Sequence, residues 1–431
     1  MKKKKENKPI LIKNGKVFIA EEKKFKKLDI LIENGSIKDV KENIPKEKIF
    51  EVINAENKIV SPGFTDLHVH LREPGREDEE TIETGTLAAI SGGFTKVCAM
   101  PNTEPPIDTA ELVEYVIRRA KEAGNAEVFP VGAITKKREG TEIAELGLMV
   151  EKGAVGFSDD GDWVLDSGVM RRALEYSKMF EVRIISHAED PYLAKEGVMN
   201  EGRVSTRLGL YGKPRISETY AIQRDIELAE YTQGKLHIAH LSTKKGVEII
   251  KKAKERGVEV TCEVTPHHLI WTEEELEDFD TNYKVNPPLR TEEDRTALIE
   301  GLKEGVIDAI ATDHAPHSPE EKEQEFDYAP FGMIGLQTAF SLLYENLVEK
   351  GVISLEILLE KLTIGPLRVL FRKFEGIRRG AKANIVIISL QDEWIFDSST
   401  NLSKSRNSPV FGKKLKGRIK NVIQGHNIWE L

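Results

Sequence analysis

Cysteine is scarce: Cys98 and Cys262 are the only two in 431 residues. That count builds no disulfide framework and suits a reducing compartment. Both fall in apolar, strand-like runs, where packing is the expected role. Long hydrophobic runs are missing too. None approaches the roughly 20 residues that cross a bilayer, so no membrane segment is expected. Positive charge is not in excess. The net charge is −9, with 31% charged and 39% hydrophobic residues. That balance argues against a nucleic-acid or membrane-surface binder and for an ordinary globular protein. The opening "MKKKKENK" is basic, but no apolar core follows it. It reads as a solvated tail rather than a secretory signal, and the expected location is cytoplasmic.

A chain of this length fits one large barrel with an appendage, or two to three ordinary domains. The first 60 residues are short β-rich runs with turn signals at Asn14-Gly15 and Asn34-Gly35. From residue 57 the pattern changes. Short apolar runs alternate with amphipathic stretches of helical length, several ending in glycine. Eight strand candidates follow one another: "KIVSPGFTDLHVHL", "GFTKVCAMPNT", "EVFPVGAIT", "GAVGFSDDG", "VRIISHAED", "KLHIAHLS", "VEVTCEVTPHHL" and "VIDAIATDHAPH". Eight β/α units over about 260 residues predict an α/β fold of the (β/α)8 TIM-barrel type. A doubly wound sheet is the competitor, but no dinucleotide glycine fingerprint follows the first strand. A β-rich tail closes the chain, "ANIVIISL" being its clearest strand. The expected organisation is a barrel with C-terminal helices over residues 61–365, and one small β-domain formed from residues 1–60 and 366–431.

In "DLHVHL", His68 and His70 stand two apart in a strand, and so share a face. Paired imidazoles make a poor core and a good start on a metal site. Other ionisable residues fall at the same ends of later strands. Asp159 and Asp160 end the fourth, His187 the fifth, His240 the sixth and Asp313 the eighth. Barrel active sites form at that face, so these groups should converge. Imidazoles and carboxylates without thiolates suit zinc, and could also hold manganese, cobalt or iron. Six donors exceed one catalytic zinc, and two metals sharing a bridging carboxylate would use them all. His237, three residues before His240, should face the opposite way into the core. His267 and His268 would stand behind the ligands, and His314 should point away. His317, in the loop after Asp313, is a candidate for contact with a substrate. His426 reads as structural.

"GFTDLHVHLREPG", "MPNT", "ISHAED", "TPHHL", "NPPLR" and "ATDHAPH" together resemble the dihydroorotases of the amidohydrolase superfamily, in their larger, type I form. The motifs run from residue 63 to 332, and the flanking β-segments also fit. "HLREPG" and "MPNT" are what separate that family from the hydantoinases and allantoinases. The resemblance implies zinc-dependent, reversible closure of N-carbamoyl-L-aspartate to dihydroorotate, a step of pyrimidine synthesis. It implies one zinc on His68, His70 and Asp313, a second on His187 and His240, and Asp160 bridging them. Arg72, Asn102 and His317 would bind the substrate, with Asn286, Phe331 and Gly332 helping at the ring. One departure stands out. Many amidohydrolases bridge their metals with a carboxylated lysine after the fourth strand, where this chain has "GFSDDG". An aspartate is shorter, so one zinc or two are both open.

Cleaving a cyclic amide calls for an acidified water, a polarised carbonyl and a base, and Asp313 is placed to be that base. Arg72, two residues past His70, suits a bidentate grip on a carboxylate; a salt bridge to a nearby carboxylate such as Glu73 or Asp78 is the plainer alternative. The charged stretch from residue 318 to 332 reads as a mobile lid. Another cyclic amidase of the hydantoinase or allantoinase type, or a non-catalytic scaffold subunit, are the alternative readings. A homo-oligomer is expected, and a complex with aspartate carbamoyltransferase is a possible assembly.

Overall fold

The computed structural model describes residues 1–6 and 8–431. Eight parallel strands form the barrel: Phe64–Val69, Phe94–Ala99, Glu127–Pro130, Gly156–Phe157, Arg183–Ser186, Leu236–Ile238, Val260–Val264 and Ala309–Ile310. The first three pair in order, as do the last five. Bridges at Gly132–Phe157 and Val69–His314 join the two groups into a closed ring. All eight fall within the runs picked out by hydrophobic patterning. The helices between them follow their local signals. Thr109 caps Ala110–Ala123, which stops at Gly124 with φ 63°. Thr291 and Asp294 form a capping box on Glu292–Glu304, which stops at Gly305 with φ 80°. Leu67, Cys98, Val131, Val155, Ile185, Ala239 and Ala309 fill the barrel interior. Both cysteines are buried and unpaired.

A second, nine-stranded sheet is built from both ends of the chain, with strands drawn from residues 2–62 and 384–430. Isoleucines 10, 12, 30, 32, 385, 387, 423 and 428 form its core. Two expectations change here. The basic start is not free: Lys2–Lys5 pairs antiparallel with Asn427–Glu430, Lys4 reaching both Glu51 and Glu430. Asn7, in the same run, lies outside the described residues. The run "KIVSPGFTDLHVHL" is two strands. Ile59–Pro62 belongs to the nine-stranded sheet and Phe64–Val69 to the barrel. Gly63 makes the handover because the two sheets approach there more closely than a side chain allows. A Cβ on it would lie 2.6 Å from Thr95 Cγ2 and nearer still to Asn384 Oδ1.

The C-terminal segment also returns to the barrel mouth. Asn407 Nδ2 donates to the carbonyls of Ala315 (2.9 Å) and Gly332 (3.2 Å), and its Oδ1 accepts from His317 N. The loop after strand eight is thus held from outside the barrel.

A Gly63→Ala variant is expected to lose about 1–3 kcal/mol of stability, the scale for overpacking a filled site. Denaturant unfolding measures it, and a loss below about 0.5 kcal/mol would show that the junction can spread.

Candidate metal centre

Strand ends deliver the donors. His68 is fully buried in strand one, and His70 follows just beyond it. Asp160, His187, His240 and Asp313 lie beyond strands four, five, six and eight. His68 Nε2 is 3.2 Å from Asp160 Oδ1 and 3.6 Å from Asp313 Oδ1. His70 Nε2 is 3.1 Å from Asp313 Oδ1 and 3.6 Å from Asp160 Oδ2. His187 Nδ1 and His240 Nε2 both lie 3.7 Å from Asp160 Oδ1, and 2.8 Å from one another. Two donors on a tetrahedral metal at 2.0–2.2 Å stand about 3.4 Å apart. The spacings therefore fit a shared ion. Two overlapping groups, His68 with Asp160 and His240, and His68 with His70 and Asp313, each bring their ligand atoms within 4.8 Å of one another. His68 Nε2 and Asp160 Oδ1 are buried without a hydrogen-bond partner, which a cation between them would correct.

The charges make the same point. Burial works to raise the Asp313 and Asp160 carboxyls, yet neighbouring imidazoles outweigh it and hold both below the ordinary range. Burial works to lower His68, and Asp160 and Asp313 outweigh it upward. Two buried carboxylates are asking for positive charge. His70, in contrast, is lowered by burial. Backbone strain concentrates here as well. Arg72, His240 and Asp313 have φ of 60°, 31° and 48°, a region non-glycine residues avoid.

A cavity of about 320 Å³ opens over this cluster. Its lining includes His70, Arg72, Asn102, Asp160, His187, His240, Asn286, Asp313, His317, Phe331 and Gly332. His68 lies beneath it. Asn102 Oδ1 accepts from His70 Nδ1 (2.7 Å). Asn286 accepts from Lys213 (2.7 Å) and places its Nδ2 3.1 Å from His187 Nε2. Arg72 does form the plainer salt bridge to a nearby carboxylate, with Glu79 rather than Glu73 or Asp78. Its Nε contacts Glu79 (3.0 Å) and the Pro316 carbonyl (3.0 Å), and its Nη2 lies 3.3 Å from His317 Nε2. Phe331 offers its carbonyl to His317. Gly332, at φ 135°, passes close to Ala315.

Other polar residues depart from their sequence reading. Asp159 turns away and accepts from the backbone of Ile134 and Thr135. His237 does not face away from the centre. The strand ends at Ile238 and the chain turns at His240, so the alternation that separated them stops. His237 Nε2 instead reaches Glu263 Oε2 (3.3 Å), whose other oxygen is 3.1 Å from His68 Nδ1. Burial would raise Glu263, but His237 and His68 hold it at about 2. It fixes His68 with Nδ1–H outward and Nε2 free. Burial lowers His267 to about 4, and its Nε2 has no partner. His268 bonds Thr265 and the Pro287 carbonyl. His314 points away, toward Glu80 and Gly335 N. His426 is exposed, 3.2 Å from Glu6. The stretch 318–332 holds a short helix, Pro319–Lys322. Buried Lys322 donates to the carbonyls of Pro330 and Gly332, and Lys284 to those of Phe326 and Asp327.

Glu263, Lys213 and Glu189 were not singled out from the sequence. A carboxylate inside the apolar run "VTCEV" was the available signal for Glu263. Lys213 pairs with Glu189 at 2.9 Å, and nothing local in "YGKP" points to it.

Comparison with known proteins agrees with this architecture. The family described as dihydro-orotase-like matches residues 57–246. A dihydroorotase of Caldanaerobacter subterraneus subsp. tengcongensis is 49% identical over 96% of this chain and 95% of its own. The dihydroorotase of Aquifex aeolicus is 48% identical over 95% of this chain and 96% of its own. Among solved structures, an L-hydantoinase (dihydropyrimidinase) from Arthrobacter aurescens superposes with a TM-score of 0.86 at 25% identity, covering 97% of this chain and 95% of that one. A D-hydantoinase from a Thermus species gives 0.81 at 26%, covering 97% and 94%.

Glu263→Gln keeps the shape and removes the charge behind His68. Affinity for a divalent metal should fall about 10- to 100-fold, the usual effect of losing a carboxylate behind a ligating histidine. Chelator competition reads it directly, and unchanged affinity would remove Glu263 from the support of His68.

Proposed function

The chain belongs to the dihydroorotase family, and on that premise we propose that its barrel mouth closes N-carbamoyl-L-aspartate to dihydroorotate with loss of water, and hydrolyses the ring in reverse, as a step of pyrimidine synthesis. Arg72 carries the assignment. It is partly buried at the rim of the cavity, and its Nη1 takes no hydrogen-bond partner among the described residues. Dihydroorotate has a carboxylate for that edge, whereas a simple hydantoin ring has none. Likeness of fold to hydantoinases supports a second reading, a hydantoinase-type amidase, and Arg72 speaks against it. A scaffold role is opposed by the six donors, all of which are present.

In this reading His68, His70 and Asp313 hold one zinc, and His187 and His240 hold a second if one binds, with Asp160 between them. When bound, zinc supplies a water with a pKa of roughly 7 and polarisation of the ring carbonyl. The chain's own groups do the rest. Asp313, kept ionised by its histidine neighbours, takes the proton of the attacking water and returns it to the departing ring nitrogen. In closure it takes the proton from the carbamoyl nitrogen and delivers it to the leaving hydroxide. Arg72, Asn102 and His317 hold the carboxylate, and Asn286 with the backbone at Phe331 and Gly332 orients the ring. The residues 318–332 cover the cavity.

The reading includes the type I subclass, a cytoplasmic location, a homo-oligomer, and a complex with aspartate carbamoyltransferase. Among the described residues no helix is long and apolar enough to cross a membrane. What supports a partner is the exposed rim formed by Tyr192, Tyr211, Ile216 and Tyr220.

Asp313→Asn should lower kcat by about 10² to 10⁴ with metal content unchanged; a drop under about tenfold excludes Asp313 as the base. Arg72→Ala should cost about 2–5 kcal/mol in kcat/KM for dihydroorotate. Dihydrouracil, the same ring without the carboxylate, is the control. Equal losses on both would mean that Arg72 supports the metal centre instead, and would restore the hydantoinase reading.

A further inference from the structure

Glu79 is almost wholly buried, at 1% exposure, and is not itself part of the cavity lining. Its two oxygens are divided between the two side chains that grip the substrate in the proposed function. Oε2 lies 3.0 Å from Arg72 Nε, and Oε1 lies 2.9 Å from His317 Nδ1. Arg76 Nη2 adds a third contact to Oε1 at 3.1 Å. The same Arg76 nitrogen lies 2.7 Å from Glu321, within the stretch 318–332, and Glu321 Oε2 lies 3.4 Å from His317 Nδ1. The backbone of Glu79 is fixed in turn, its carbonyl accepting from Ser405 Oγ (2.7 Å). Glu79, His317 and Glu321 together have the spacing of a metal site, but the Arg72 and Arg76 guanidiniums already occupy these carboxylates as cations.

We propose that Glu79 is a positioning residue that sets the separation and orientation of Arg72 and His317, and thereby determines specificity for a ring bearing a carboxylate. This rests on the reading of Arg72 and His317 as carboxylate-binding groups. A flexible arginine aimed at a small anion must give up its rotamers on binding. One held at Nε by Glu79 and the Pro316 carbonyl has already done so, leaving Nη1 without a partner among the described residues. Glu79 also offsets the charge of two neighbouring guanidiniums out of water. Glu321 brings the stretch 318–332 into the same network through Arg76 and His317.

The test uses the full-length, metal-loaded enzyme and reads the ratio of kcat/KM for dihydroorotate to that for dihydrouracil. Glu79→Gln should lower this ratio about tenfold or more, chiefly through KM for dihydroorotate, as expected for losing charge-assisted hydrogen bonds. Glu79→Asp keeps the charge, and so the fold, but is one methylene too short to reach both partners. It should also lower the ratio, by a smaller factor. In an Arg72→Ala background Glu79→Gln should add little, because its effect runs through Arg72. A ratio unchanged in both Glu79 variants, or full additivity with Arg72→Ala, overturns the positioning role. If Arg72→Ala itself leaves the ratio unchanged, the reading of the carboxylate pocket fails first, and that outcome is distinct from the others.

Discussion

Two buried carboxylates govern this molecule. Asp160 and Asp313 stand at the mouth of a closed barrel, each held in its ionised form by imidazoles within 4 Å. Isolated buried charge of this kind costs several kcal/mol per ion. It persists because three strand ends supply compensating imidazoles, and because the closed barrel holds them there. The demand propagates outward. His68 must keep Nε2 free, so Glu263 takes its Nδ1. His70 must do the same, so Asn102 takes its Nδ1. Glu263 is buried in turn and needs a partner of its own, which His237 supplies.

Strain marks where this arrangement is enforced. Fourteen non-glycine residues have positive φ, and most lie in turns or helix ends. Arg72, His240 and Asp313 lie at the mouth. A left-handed residue at a strand end turns the chain sharply, so a side chain that would lie along the barrel wall projects over the axis. The cost, on the order of 1–3 kcal/mol each, is sustained by the closed ring below and by Asn407 and Ser405 reaching in from the C-terminal segment.

Much of this was legible in the sequence, for a physical reason. Barrel strands are short, apolar and separated by capped helices, so hydrophobic period and glycine stops suffice to place eight of them. Polar residues at the C-terminal ends of such strands have no role in the core, which is why His68, His187 and Asp313 stand out. What escaped depends on pairs distant in the chain. Gly63 divides one apolar run between two sheets because Thr95 and Asn384 crowd it, and neither is near it in sequence. Lys2–Lys5 looks like a solvated tail until Asn427–Glu430 offers an edge. The role of His237 was misread because alternation was extended past the end of its strand. Lys213 and Glu79 carry no local signal at all, since a buried charge is intelligible only beside its partner.

Fold and substrate separate in this protein. The superposition on hydantoinases extends over nearly the whole chain, so the barrel, the appended sheet and the strand-end geometry do not choose between ring amides. A fold of this kind supplies the reacting centre, and the loops supply the choice. In the proposed function that choice falls to a few side chains around the rim, Arg72 above all. An arginine beside a cationic metal is unfavourable on its own, and it becomes favourable only when an anion joins both. Glu79 offsets the charge of Arg72 at Nε, which also donates to the Pro316 carbonyl, and Nη1 is left without a partner among the described residues. In the proposed function the pocket is therefore electrostatically incomplete in the direction of the substrate, and a carboxylate on the ring completes it. A neutral ring would leave that edge without a partner, and the unmet charge is what excludes it.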